Sequence, residues 1–346
     1  MIDLRSDTLT EPSAGMREAM ARAVVGDEQK REDPTVLELE ERAAELLGHE
    51  RAIFLPTATM ANQIALRAQT EPGEEAVAHT QAHIFRMEGG GPAVHSGLAM
   101  KMLAGERGVF DAAALRDAIN PDVPHRAPTR IVCVENTHNG GGGRAWPLET
   151  LRELTATARE LGLSAHLDGA RLLNAAVAQR VAPAEIGSLF DTVTLCLSKG
   201  LGCPLGAVIA CSSELAQKAW RLKFLFGGAM RQAGIVAAAG VYALEHNIER
   251  LADDHANARS LAAGFASAGL PVNVDAVDTN FLQIDCNALT VSRDEVIERL
   301  EREGVRVSIA APPGVLRAVT HLDVGPDDVE RATKAAQRAF AVPVAG

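Results

Sequence analysis

Two charged residues stand at the ends of apolar runs. Lys199 closes the run 192–198, Thr-Val-Thr-Leu-Cys-Leu-Ser, and is followed by Gly200 and Gly202; Asp168 closes the run 163–167, Leu-Ser-Ala-His-Leu. Both runs read as buried strands, and in a parallel sheet the carboxyl ends of strands are where ligands bind. A lysine amine and a carboxylate held there suit pyridoxal phosphate, which needs an amine for a Schiff base and an anion to keep its ring nitrogen protonated. An apolar strand before Lys199 and glycines after it favour the lowered pKa that such an amine requires. Arg171, three residues beyond Asp168, can reach the cofactor oxygen or a substrate carboxylate, or simply form an ion pair with the aspartate.

The elements that must position these residues follow from patterning. Residues 35–47 place apolar side chains at helical spacing after Pro34, and Gly48 supplies a stop. A strand at 52–55 leads through Pro56-Thr57-Ala58-Thr59 into a helix at 60–68, so backbone N–H groups near Thr59 can hold a phosphate, although threonine there also serves as an ordinary helix cap. Strands at 130–134, 164–167 and 193–197, with a helix at 148–161, predict a parallel sheet covered by helices on both faces. Past Arg231, helices at 235–244 and 248–268 give way to short strands at 281–284, 305–309 and 315–320, with helices at 293–303 and 326–341. This is the pattern of a separate small α+β lobe. The division expected is residues 1–245 and 246–346. Residues 139–143, Asn-Gly-Gly-Gly-Gly, suit a mobile loop beside a site.

Composition narrows the class. The chain has 346 residues, enough for two cores, and a net charge of −11 with no basic stripe, which argues against a nucleic-acid partner. No segment has the 18 to 20 or so apolar residues of a membrane span, and the first residues lack a signal-peptide pattern, so a cytoplasmic protein is expected. Five scattered cysteines without CxxC spacing fit a reducing compartment, and no metal site is expected. Of ten histidines, His49, His246 and His255 read as surface residues on helices or their ends. His83, in Gln81-Ala82-His83-Ile84-Phe85, can stack on a pyridine ring or be a buried, hydrogen-bonded histidine.

The combination resembles the low-specificity L-threonine aldolases, pyridoxal-phosphate enzymes of the aspartate-aminotransferase fold. Its motifs run nearly the length of the chain: LRSDTLTEPS at 4–13, EDPTVLELE at 32–40, FLPTATMAN at 54–62, AHIFRMEGGG at 82–91, ENTHNGGGG at 135–143, HLDGARLLNA at 166–175, CLSKGLGCPLG at 196–206, FGGAMRQAG at 226–234 and LRAVTHLDV at 316–324. The resemblance implies a large cofactor domain with a mostly parallel seven-stranded sheet, plus the small C-terminal domain. It also implies that Lys199 carries the cofactor, Asp168 pairs with its ring nitrogen, Arg171 reaches its oxygen and the substrate, and His83 stacks on the ring. Thr59, the backbone of Ala58 and Ser198 would hold the phosphate. Arg231 would serve a neighbouring subunit's phosphate. Ser6, Arg171 and Arg317 would clamp the substrate carboxylate, and His125 would be a second active-site histidine.

The implied reaction is cleavage of L-3-hydroxy amino acids to glycine and an aldehyde, with His83 or His125 as base, by a homo-oligomer built as a dimer or a dimer of dimers. A β-eliminating lyase, a transaminase, or a 3-hydroxyaspartate- or phenylserine-type aldolase is the alternative within the cofactor class. Two departures stand out. Ala58 replaces the family's usual glycine, and Lys30 and Arg31 stand where a tyrosine and a glycine are common. The second suggests either an attraction for substrates with anionic side chains or a solvated pair of cations balanced by Glu28 or Glu32.

Overall fold

The computed structural model describes residues 1–310 and 312–340. Its strands are β1 (Ile2–Asp3), β2 (Arg51–Leu55), β3 (Glu75–His79), β4 (Ala99–Leu103), β5 (Thr129–Glu135), β6 (Ser164–Asp168), β7 (Thr192–Cys196), β8 (Ala207–Cys211), β9 (Phe281–Asp285), β10 (Val305–Arg306), β11 (Ser308–Ile309) and β12 (Val315–Val319). Seven of them form one sheet in the order β2-β8-β7-β6-β5-β3-β4. Only β8 runs against the rest, because it pairs antiparallel with both β7 and β2. The carboxyl ends of β2, β6 and β7 therefore open on one edge, and the segments that follow each strand meet there.

Local signals set the helices that cover this sheet. The helix Pro34–Leu47 begins with the Asp33 carboxylate accepting from the Val36 N–H and ends at Gly48 in the left-handed region. The helix Ala58–Gln69 is capped by the Thr57 hydroxyl, which accepts from the Met60 N–H. A large core of Val, Leu and Ala side chains on one face of the sheet encloses Trp146 and Phe54, each fully buried, and smaller clusters cover the other face. No helix of the described residues is long and apolar enough to cross a membrane. All five cysteines are free and buried.

A second core gathers residues from Ala258 to Ala336 around the three-stranded antiparallel sheet β11-β12-β9. One of its members comes from the far end of the chain: Leu4, fully buried. The N-terminal segment reaches it as a strap. β1 pairs in parallel with β10, and the Leu4 carbonyl accepts from the Val319 N–H at 2.8 Å. Two expectations need correction here. Residues 139–143 do not stand free: Gly142 and Gly143 (φ +76° and +72°) pack so closely on Gln283 and Phe281 that an added Cβ would lie within 3 Å of them. His255 is not a surface residue but is buried against the Asn174 side chain at 3.1 Å, and burial holds its pKa down at about 4.

Leu4→Ala removes the strap's anchor from the second core. Equilibrium urea unfolding should show a loss of about 2–5 kcal/mol, the range for a buried leucine truncated in place. A loss under about 0.5 kcal/mol would mean that the strap contributes no packing.

Candidate active site

Asp168 is the last residue of β6, in register between Glu135 of β5 and Thr194 of β7, and it is almost fully buried. Its two oxygens are held in place: Oδ1 accepts from the Ala170 N–H at 3.2 Å and Oδ2 from the Asn62 amide at 3.0 Å. Asn62 lies one turn into the helix Ala58–Gln69, so this bond ties the helix to the strand end. The same amide donates to Glu88 at 2.8 Å. With both Asn62 protons used, its carbonyl oxygen accepts from His166 Nε2 at 3.2 Å, and His166 Nδ1 accepts from the Thr192 hydroxyl at 2.8 Å. Burial keeps His166 neutral, with a pKa pushed down to about 4. Asp168 thus sits, buried, at the end of a fixed donor chain.

His83 begins the short helix His83–Arg86. Its backbone N–H donates to Glu135 Oε2 at 2.6 Å, and its Nδ1 meets Glu88 Oε1 at 2.9 Å. Glu88 is a buried carboxylate that also accepts from Gln63 at 2.5 Å. Burial works against protonation of His83, but the Glu88 hydrogen bond and the charges of Asp168, Glu88 and Glu135 outweigh it and hold the pKa above the ordinary histidine value. Glu135 also accepts from the Asn139 N–H at 2.8 Å, fixing the next segment at the rim. Ligand atoms of His83, Glu88 and Asp168 lie within 4.8 Å of one another. The Asn62 amide joins the two carboxylates, so the cluster is a hydrogen-bond relay.

Lys199, three residues past β7, opens into a cleft of about 560 Å³ together with Ser6, His83, Asn139, Arg171 and Arg317. Among the described residues no carboxylate pairs with Lys199. Arg171 is otherwise engaged: its Nε and Nη2 donate to the two oxygens of Asp7 at 2.7 and 2.6 Å, both groups being buried. Burial alone would raise the Asp7 pKa, but the Arg171 charge and hydrogen bonds bring it to about 2. A carboxylate clamp built on Arg171 therefore has only its remaining terminal nitrogen to offer. Arg317 is freer. It donates to two neutral oxygens, Ser308 Oγ at 3.0 Å and Asn139 Oδ1 at 2.5 Å. Burial and the nearby Arg171 lower its pKa, the mark of a cation in want of an anion.

Ala58 and Thr59 form the first turn of their helix, at the same sheet edge. Their N–H groups have no intrahelical acceptor and point outward at the positive helix end. Ala58 costs nothing there, because a helical first-turn residue accommodates a Cβ. Ser198, half-exposed, is 3.5 Å from Cys196 Sγ and adjoins Lys199.

Four expected residues are not brought to this cleft within one chain. His125 lies in an exposed turn ahead of the amino end of β5, whose seven residues span roughly 20 Å, at the opposite edge of the sheet. Arg231 is exposed and paired with Asp27 at 3.0 Å. Arg31 pairs with the buried Glu40 at 2.6 Å and lies over the Trp220 ring, while Lys30 is exposed; neither lines the cleft. Conversely, Asp7, Asn62, Glu88 and Glu135 organise the site without having been singled out. Their common signal is a polar residue close in sequence to a candidate ligand-binding one.

The residues in and behind the cleft fit pyridoxal phosphate: an unpaired lysine amine and a histidine ring in the lining, and behind them a buried carboxylate and a helix N-terminus with free N–H groups. The Beta-eliminating lyase family matches residues 3–287. The low specificity L-threonine aldolase of Escherichia coli K12 is 42% identical over 328 residues, 94% of this chain and 95% of that one. A probable low-specificity L-threonine aldolase 2 of Arabidopsis thaliana is 38% identical over 98% of this chain and 97% of its own. Among solved structures, the threonine aldolase of Leishmania major superposes with a TM-score of 0.86 at 20% identity, covering 98% of this chain and 100% of that one.

Glu88→Gln removes the charge that holds the His83 pKa up. The acid limb of the kcat/KM profile should move to lower pH and kcat should fall, by roughly 10- to 100-fold if His83 is the base. A lower rate with the limb unmoved would make Glu88 a packing residue only.

Proposed function

Since this chain belongs to the low-specificity L-threonine aldolase family of pyridoxal-phosphate enzymes, we propose which of its residues carry the reaction. The enzyme is a carbon–carbon lyase that cleaves L-3-hydroxy amino acids to glycine and an aldehyde. Bound pyridoxal phosphate supplies a ring that takes up the electron pair of a bond broken at the substrate Cα. Lys199 would carry the cofactor, and Asp168, held in place by Asn62 and the Ala170 N–H, would pair with the ring nitrogen. The first-turn N–H groups of Ala58 and Thr59, with Ser198, take the phosphate.

Arg317 and Ser6 take the substrate carboxylate, and that contact fixes which bond to Cα is aligned for cleavage. The single observation that carries this is an arginine inside the cleft with neutral partners only. Glu88 occupies His83 Nδ1, which leaves Nε2 to accept the β-hydroxyl proton as the Cα–Cβ bond opens. His83 would also be the residue that stacks on the ring of the bound cofactor. Cα then takes up a proton and glycine leaves.

The purified enzyme should release glycine and acetaldehyde in equal amounts from threonine, and Lys199→Ala should abolish both. Borohydride reduction followed by peptide mapping should find the cofactor on Lys199. A cofactor on Lys218 or Lys223, or turnover by Lys199→Ala, would overturn the assignment.

The exposed positions of Arg231 and His125 support a site completed by a second copy of the chain, in a homodimer or a dimer of dimers. Five free thiols suit a reducing, cytoplasmic setting. If Arg231 serves the partner's phosphate, mixing inactive Lys199→Ala with inactive Arg231→Ala should restore about a quarter of wild-type activity, because half of random dimers then hold one intact site of two. Absence of any restored activity after verified subunit exchange would confine Arg231 to its own chain.

A further inference from the structure

The cleft holds more positive charge than cleavage of threonine needs. No aspartate or glutamate lines it, whereas His83, Arg86, Arg171, Lys199 and Arg317 all do. Three of these five are already matched: Arg171 by Asp7, His83 by Glu88, and Lys199 by its use as the cofactor's amine. Arg317 is left for the α-carboxylate, and Arg86 has no counterpart.

Arg86 ends the helix that His83 begins, three positions on, and so stands beside the group that faces the β-hydroxyl. Its Nε donates to the Thr80 carbonyl at 3.1 Å. The side chain is otherwise exposed, and both terminal nitrogens are without a protein acceptor; among the described residues no carboxylate lies within 4 Å of it. With the α-carboxylate on Arg317 and the β-hydroxyl toward His83, the third substituent of Cβ is carried to the end of the cleft where Arg86 sits with Gln81 and Met87. A guanidinium held by one neutral bond and open on its other edge is built for bidentate contact with a carboxylate.

We propose that Arg86 is a specificity-determining residue that binds an anionic group on the substrate's Cβ, so that this enzyme favours 3-hydroxy amino acids with a second carboxylate, of which 3-hydroxyaspartate is the smallest. The proposal rests on the aldol cleavage assigned above. The bonds balance as for threonine: the Cα–Cβ bond breaks, the β-hydroxyl loses its proton, its C–O bond becomes the aldehyde carbonyl, and Cα gains a proton. The products are glycine and glyoxylate. Arg86 is the cation proposed here; Lys30 and Arg31 do not line the cleft of their own chain.

The test uses the holoenzyme as wild type, Arg86→Leu and Arg86→Lys, at low and high ionic strength. The first readout is the quotient of kcat/KM for L-3-hydroxyaspartate over that for L-threonine. The second is binding of L-aspartate relative to L-alanine by calorimetry; neither has a β-hydroxyl to cleave. Arg86→Leu should lower the quotient roughly 10- to 100-fold, the worth of one charge-assisted hydrogen-bonded pair, with Arg86→Lys between the two. Wild type should bind aspartate more tightly than alanine, with a preference that shrinks at high salt and is lost in Arg86→Leu. An unchanged quotient in Arg86→Leu, or no preference for aspartate in wild type, overturns the proposal. If the leucine variant misfolds, the wild-type preference and its salt dependence decide alone. If neither hydroxy amino acid is cleaved while the aspartate preference is present and depends on Arg86, the aldolase reading falls and the anion site stands.

Discussion

The ion pair between Asp7 and Arg171 is the constraint on which the arrangement of the cleft depends. Both groups are buried, and two charges out of water are tolerated only when each is fully satisfied. Here the two bonds are bidentate, and Asn280 adds a third donor to Asp7 at 3.3 Å. Three distant parts of the chain therefore converge on one carboxylate: the N-terminal strap, the segment after β6, and the residue before β9, whose amide also donates to the Thr320 carbonyl. Removing either partner would strand a buried charge, at a cost of about 3–5 kcal/mol. Since Asp7 titrates near pH 2, the pair stays ionised wherever the cleft works.

The same logic orders the rest of the site into a cationic surface and an anionic layer behind it. Asp7, Glu88, Glu135 and Asp168 are all buried, and each accepts from donors fixed in the backbone or in packed amides. None of these acids lines the main cleft. A protein of net charge −11 thus presents a locally positive mouth to an anionic cofactor and to the carboxylate of an amino acid, and shaped fields of this kind raise encounter rates.

How much of this could be read in the sequence differs by residue for physical reasons. Lys199 and Asp168 were legible because a charge at the end of an apolar run must emerge at a strand end, and strand ends of a parallel sheet share an edge. Asp7 and Glu88 were not, since a buried acid and a solvated one look alike until their donors are placed. Arg31 misled for the complementary reason: its partner Glu40 is brought to it only by the helix Pro34–Leu47 packing on β2. His255 looked superficial because its helix packs one side into the second core, and the helix Leu172–Gln179, carrying Asn174, covers the side that bears the histidine. For His125 and Arg231 no reading of a single chain places them together with Lys199.

The N-terminal strap has a consequence for how this chain is made. The large sheet closes with residues up to 211, so its strands can pair while synthesis continues. Residues 2–4 cannot, because their partners at 304–306 and 319 are about 300 positions away. Asp7 likewise waits for Asn280, even though Arg171 emerges much earlier. Until then a leucine and a future buried carboxylate stay in solvent at the end of an otherwise folding domain. The last contacts to form are thus those that finish the cleft, and a nascent chain with a complete sheet does not yet have a complete site.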